Sequence, residues 1–82
     1  MEEFELSVHI RDMLNERQLS EVWVWRTIQS PDWHWTGDDG NEYFAKAIEE
    51  RENRILHVVV NITLRPKRVV TAFLDRRLRK SK

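Results

Sequence analysis

The run Ile55-Leu56-His57-Val58-Val59-Val60-Asn61-Ile62-Thr63-Leu64 constrains this chain more than any other segment. It is rich in β-branched residues and apolar at both odd and even positions. That pattern suits a strand buried on both faces in the middle of a sheet. Such a strand needs neighbours on each side and a layer packed over it. The remainder of an 82-residue chain must supply them within one domain, near the lower end of what folds unaided. With no cysteine present, neither a disulfide nor a thiolate metal site can help. The core therefore comes from packing. Four tryptophans, three phenylalanines and one tyrosine are available for it, each able to bury roughly 150–250 Å².

The neighbouring strands follow from turn signals. Trp33-His34-Trp35-Thr36 alternates, and Gly37-Asp38-Asp39-Gly40-Asn41 is a dense turn cluster. Tyr43 to Glu49 then reads as a second strand, turned by Arg51-Glu52-Asn53. After the central strand, Arg65-Pro66-Lys67 is the next turn, and Arg68 to Leu74 forms the last strand.

Upstream the period changes to helical. Ser7 caps a helix over 8–17 whose apolar stripe is Leu6, Ile10, Met13 and Leu14. Ser20 caps a second helix over 21–29, with Val22, Val24, Trp25 and Ile28 facing inward. Ser30-Pro31-Asp32 stops it, because proline disfavours the helical conformation of the residue before it. Only Gln18 and Leu19 join the helices. The order α-α-β-β-β-β predicts an α+β domain, two N-terminal helices packed on a four-stranded antiparallel β-meander. Residues 1–75 form that domain, and 76–82 read as a disordered basic tail.

Charge is divided along the chain. Residues 1–52 carry thirteen acidic and five basic side chains, whereas residues 53–82 carry nine basic and one acidic. The basic part points to an acidic or nucleic-acid partner, or to attraction between the halves within a fold or between copies. The start Met-Glu-Glu-Phe-Glu lacks the basic opening and apolar core of a signal peptide. No apolar run approaches the roughly 18–20 residues of a membrane span. The expectation is a cytoplasmic protein without a membrane partner.

Several residues together resemble a family. They are Ser7-Val8-His9, Met13, Glu16-Arg17, Leu19-Ser20, Val24 and Ser30-Pro31-Asp32, then Tyr43, Leu56-His57-Val58-Val59-Val60 and Val69-Val70-Thr71-Ala72-Phe73. Over residues 7–75 they resemble domain-of-unknown-function family 4258. The chain differs from the family's pattern at Ile10, where a small residue is usual, and at Gln18, where glycine is frequent. The family is similar in predicted fold to toxin ribonucleases of the RelE and BrnT kind, which work without metal. The resemblance therefore implies helices followed by a sheet, RNA as substrate or ligand, and an antitoxin as a partner.

Metal-free RNA cleavage needs a base for the 2′-hydroxyl, an acid for the leaving oxygen and a cation for the phosphate. The resemblance nominates His9, and the N-terminal end of the helix dipole would keep its imidazole neutral. Asp12 could orient it from one turn on. Arg17 is the second nominee and His57 the third. The plainer reading makes His9 a packing residue, Arg17 a helix cap and His57 a half-buried structural group. Alternation sets His57 with Ile55, Val59 and Asn61, against Leu56, Val58, Val60 and Ile62. If helices cover the second set, His57 lies on the open face and does not share a cleft with His9.

Lys46, Arg54, Arg65, Lys67, Arg68, Arg76 and Arg77 are the candidate phosphate contacts. Trp33 and Trp35 share one face of their strand, where they either fill the core or stack unpaired bases. No cofactor is implied. The three histidines have no metal-ligand spacing, the Asp38–Glu42 cluster lacks the oxygen spacing of a calcium loop, and the two glycines form no phosphate-cradling loop. A non-catalytic nucleic-acid module and a self-associating domain, with acidic helices meeting the basic strands of another copy, are the alternatives to a ribonuclease.

Overall fold

The computed structural model describes residues 4–79, with side chains described from Phe4 to Asp75. In chain order the elements are β1 (Phe4–Glu5), α1 (Val8–Glu16), α2 (Glu21–Gln29), β2 (Trp33–Thr36), β3 (Glu42–Ile48), a short 3₁₀ turn (Glu49–Arg51), β4 (Arg54–Asn61) and β5 (Lys67–Arg79). Two helices lie on one face of a five-stranded sheet ordered β1-β5-β4-β3-β2. The β2 to β5 part is the expected antiparallel meander. The fifth strand is a correction. Phe4 and Glu5 pair in parallel with Lys67 and Arg68, making the sheet mixed. Two residues are too few to show a period. What fixes them is tertiary: Arg68 Nη2 lies 3.1 Å from Glu5 Oε1, and the Phe4 ring meets Trp25 edge-on at 6.3 Å.

Both helices start where the serines place them. The Ser7 hydroxyl accepts the Ile10 N–H at 3.2 Å, and the Ser20 hydroxyl accepts that of Val22 at 3.1 Å. Between them Gln18 takes a left-handed conformation, φ 58°, a position at which glycine would be unstrained. Helix α1 lies over β5 and α2 over β3 and β4. Their inward side chains Ile10, Leu14, Leu19, Val24 and Ile28 meet Phe44, Ile48, Leu56, Val58, Val60 and Val69 in one core. That core is the reason the Leu56 side of β4 faces the helices.

One inward expectation fails. Val22 is 62% exposed, because α2 turns Val24, Thr27 and Ile28 inward at i, i+3 and i+4, and Val22 sits on the far side of that stripe. Thr27 takes the third inward place. Its hydroxyl is hidden by donating to the Trp23 carbonyl at 2.8 Å.

The last two strands also differ from expectation in length. Strand β4 ends at Asn61, not Leu64. The Asn61 carboxamide oxygen accepts both the backbone N–H and the hydroxyl of Thr63, at 2.9 and 2.7 Å, closing a turn. Strand β5 continues past Leu74 to Arg79, with Arg54 opposite Arg79. A register shift between Val59 and Val60 leaves Val70 without an opposite number. This bulge puts Val69 and Ala72 both in the core.

Candidate functional site

The face of the sheet away from the helices has no layer over it among the described residues. Register puts on this face Trp33 and Trp35 from β2, Tyr43, Ala45 and Ala47 from β3, Ile55, His57 and Val59 from β4, and Thr71, Phe73 and Asp75 from β5. Ala45, Ile55 and Val59 are nevertheless buried. The rings stay open to solvent: Trp33, Trp35 and Phe73 are 46%, 44% and 42% exposed.

These rings form a connected row. Tyr43 and Trp35 stack at 5.5 Å with an interplanar angle of 11°. Trp35 meets His57 edge-on at 6.3 Å and 82°. His57 stacks on Phe73 at 4.9 Å and 11°. Cross-strand pairing causes the row, because Trp35 lies opposite Tyr43 and His57 opposite Phe73. Its outer end is pinned by the Tyr43 hydroxyl, which donates to Asp39 Oδ2 at 2.8 Å. That bond raises the phenol's pKa. The Asn41 N–H first, and then the Tyr43 hydroxyl, hold Asp39 below the usual carboxylate range. A methyl group at Gly37 would collide with the Tyr43 ring, which accounts for glycine in that turn.

His57 sits in the middle of the row. Its Nε2 is shielded from solvent and makes no hydrogen bond, and Asp75 Oδ2 lies 3.5 Å from it.

The nominated residues divide between places. His9 is exposed on α1, in the helical layer, whereas His57 belongs to β4 and the aromatic row. Arg17 closes α1, and its Nη1 donates to the Ala72 carbonyl at 2.8 Å. Arg54 comes close to it, since both line one cleft together with Arg51. Lys46 lies on the helix side of β3, where its Nζ donates to the Ser30 carbonyl at 2.8 Å. Lys67 and Arg68 lie at the β1 edge, Lys67 over the Phe4 ring at 5.8 Å. Arg65 is exposed in the preceding turn. The backbone of Arg76 and Arg77 continues β5; their side chains lie outside the described residues. Among the described residues no three His, Asp or Glu side chains are grouped to hold a metal ion, and no helix is long and apolar enough to cross a membrane.

Phe73, Asp75 and Arg51 belong to these surroundings, and sequence reasoning gave none of them a role. Strand alternation would have put Phe73 and Asp75 on one face, but the bulge at Val70 hides their alignment with His57. Arg51 reads in sequence only as a turn residue.

Elsewhere on the surface a different arginine is fully engaged. Arg26 makes a fork to Glu50, at 2.9 and 3.0 Å, and this pairing holds the Glu50 carboxyl down to about 2. The depressed value stabilises the fold above the ordinary carboxylate pKa of 4.5, and the contribution is lost as pH falls through about 2. A carbon-detected NMR titration should find Glu50 titrating near 2, and Arg26→Gln should return it toward 4.5. Titration at the ordinary value in the unsubstituted protein would show that the fork does not persist in solution.

The chain matches no curated protein and no solved structure. A family model does match it, over residues 6–74 and thus through both helices and strands β2, β3 and β4 into β5. The chain belongs to the domain of unknown function family DUF4258.

Proposed function

We propose that this domain binds single-stranded RNA across the helix-free face of its sheet. The observation that carries the reading is the exposed aromatic row from Tyr43 through Trp35 and His57 to Phe73. Unpaired bases stack on such platforms for about 1–3 kcal/mol each, with little dependence on sequence. Bases within a duplex already stack on one another and have no free face to offer. The excess of nine basic over one acidic side chain in residues 53–82 supports attraction of the phosphate backbone.

A second reading, metal-free RNA cleavage of the toxin kind, is favoured by the His57–Asp75 arrangement alone. In that reaction His57 Nδ1 takes the 2′-hydroxyl proton and the 2′-oxygen attacks the adjacent phosphorus. The 5′-oxygen then leaves with a proton from the imidazolium or from water, giving a 2′,3′-cyclic phosphate.

Tryptophan fluorescence on titrating a single-stranded RNA oligonucleotide, with a chelator present, tests both readings. Quenching that saturates, and an affinity that falls steeply between low and moderate salt, is the expected result. Absence of quenching, or equal affinity for a duplex of the same length, would sink the binding reading. Cleavage that persists in His9→Ala and disappears in His57→Ala would select the ribonuclease; intact RNA leaves binding alone. A mass that grows with concentration, without RNA binding, would assign the aromatic face to self-association instead.

A further inference from the structure

We infer that the cleft lined by Arg17, Arg51 and Arg54, between the C-terminal end of α1 and strands β4 and β5, binds a phosphate group. The inference rests on the RNA reading for the source of that phosphate, while the cleft itself stands on separate residues. The cleft has a volume of about 680 Å³, and Glu16, Phe73 and Leu74 also line it.

Three features leave these guanidinium groups open to an anion. First, among the described residues none of the three is in an ion pair, whereas Arg11, Arg26 and Arg68 lie within 3.6 Å of Glu21, Glu50 and Glu5 respectively. Carboxylates lie nearby, Glu16 in the same cleft and Glu50 and Glu52 in an adjoining one that Arg51 and Arg54 also line, but none of them is within ion-pair distance of the three. Second, two of them are held in place by a single donor each. Arg17 Nη1 donates to the Ala72 carbonyl at 2.8 Å, and Arg51 Nη1 to the Gln18 carbonyl at 3.2 Å. The Arg51 guanidinium also rests over the Trp23 ring at 5.8 Å. A guanidinium has five N–H donors, so most of each fork stays available in a fixed position. Third, the Arg54 guanidinium makes no hydrogen bond among the described residues and can swing toward a bound anion.

Three like charges around one cleft repel each other, and a multiply charged oxyanion that accepts paired N–H donors relieves this. Phosphate fits that description. Phe73 connects the cleft to the aromatic row, since its ring both lines the cleft and stacks on His57. A strand whose bases lie on the row therefore brings its backbone to the β5 side, where the arginines are. The phosphate is either an internal phosphodiester or a terminal phosphomonoester of that strand.

Inorganic phosphate is the first probe, followed through the arginine Nε–H signals by NMR. Saturable shifts at Arg51 and Arg54 are expected, with affinity about tenfold weaker in Arg54→Gln, the typical loss for a hydrogen bond to a charged group. The Arg54 side chain makes no hydrogen bond or ion pair among the described residues, so the remaining signals should stay in place and report an intact fold. Shifts elsewhere only, no saturation, or no change of affinity in Arg54→Gln would overturn the site.

The second probe is single-stranded RNA, with and without a 5′-phosphate, against Arg51→Gln/Arg54→Gln. Removing two phosphate contacts should lower the slope of log affinity against log salt by about 1.4, at about 0.7 per contact. A preference for the 5′-phosphate that this variant loses identifies the monoester; equal affinity identifies the diester. Unchanged affinity and slope would overturn the cleft and leave the aromatic reading standing. Phosphate binding in the cleft without any RNA binding would overturn the RNA reading and the strand as phosphate source, and keep the anion site.

Discussion

Shortening Leu56 to alanine is expected to lower the free energy of unfolding by about 2–5 kcal/mol, the usual cost of a cavity left by a large apolar side chain. Leu56 is completely buried at the middle of β4. Lys46 of β3 lies on one side of it, Leu74 of β5 on the other, and α2 above. Flanking strands and helix cannot all close on the gap at once, because each is tied to its neighbours by backbone hydrogen bonds. A domain of this size has a total stability of only about 5–15 kcal/mol, so the loss is a large fraction of the whole. Urea denaturation should show a lower midpoint with an unchanged slope. Val22→Ala provides the contrast. The sequence sets Val22 inward, whereas the structure exposes it, so its loss should stay within about 0.5 kcal/mol. Similar losses for the two variants would mean that α2 is rotated from the orientation described.

The strong periodic signals carried the fold a long way. Ser7 and Ser20 cap the helices they precede, and the doubly apolar run is indeed the middle strand of the sheet, with paired neighbours on both sides. The parts that were illegible depend on contacts distant in sequence. Nothing in Phe4-Glu5 announces a strand, because its partners are more than sixty residues away. The bulge at Val70 is invisible in Val69-Val70-Thr71-Ala72, a run in which every residue suits some face of a strand. Thr27 shows the limit of reading polarity as exposure, since a hydroxyl satisfied within its own helix can be buried.

The candidate site was legible in part. Alternation set His57 apart from Leu56, Val58 and Val60, with the open face as its place if helices covered that set, and the core does lie on the Leu56 side. It could not show that Trp35, Tyr43 and Phe73 converge on that histidine, because convergence depends on the register of three strand pairs. The charge division was plain in the sequence, yet the described cations of the basic segment face several directions. Lys46, outside that segment, is engaged on the helix side, and Lys67 and Arg68 lie at the β1 edge. Of that segment only Arg54 lines the cleft, and the other two arginines there, Arg17 and Arg51, come from the acidic part of the chain. Net charge by segment thus did not show where the cations would be grouped.

Loss of the aromatic row is the most direct challenge to the RNA reading. Trp35→Ala combined with Phe73→Ala is expected to weaken single-stranded RNA binding by about 2–6 kcal/mol, from about 1–3 kcal/mol per base no longer stacked. The two rings stand at either side of His57, at 6.3 and 4.9 Å, so a strand lying along the row meets both. Each is also more than two-fifths exposed, and neither belongs to the main core, so the fold should survive, as far-ultraviolet circular dichroism can verify. Val70→Ala is the matched control, because Val70 is equally exposed at 43% on the same strand but takes no part in the row. Fluorescence anisotropy of a labelled oligonucleotide gives the affinities without relying on the tryptophans. Binding by the double variant at unsubstituted strength would separate RNA from this face altogether. An equal loss in Val70→Ala would attribute the effect to general apolar contact, because stacking requires the rings and valine has none.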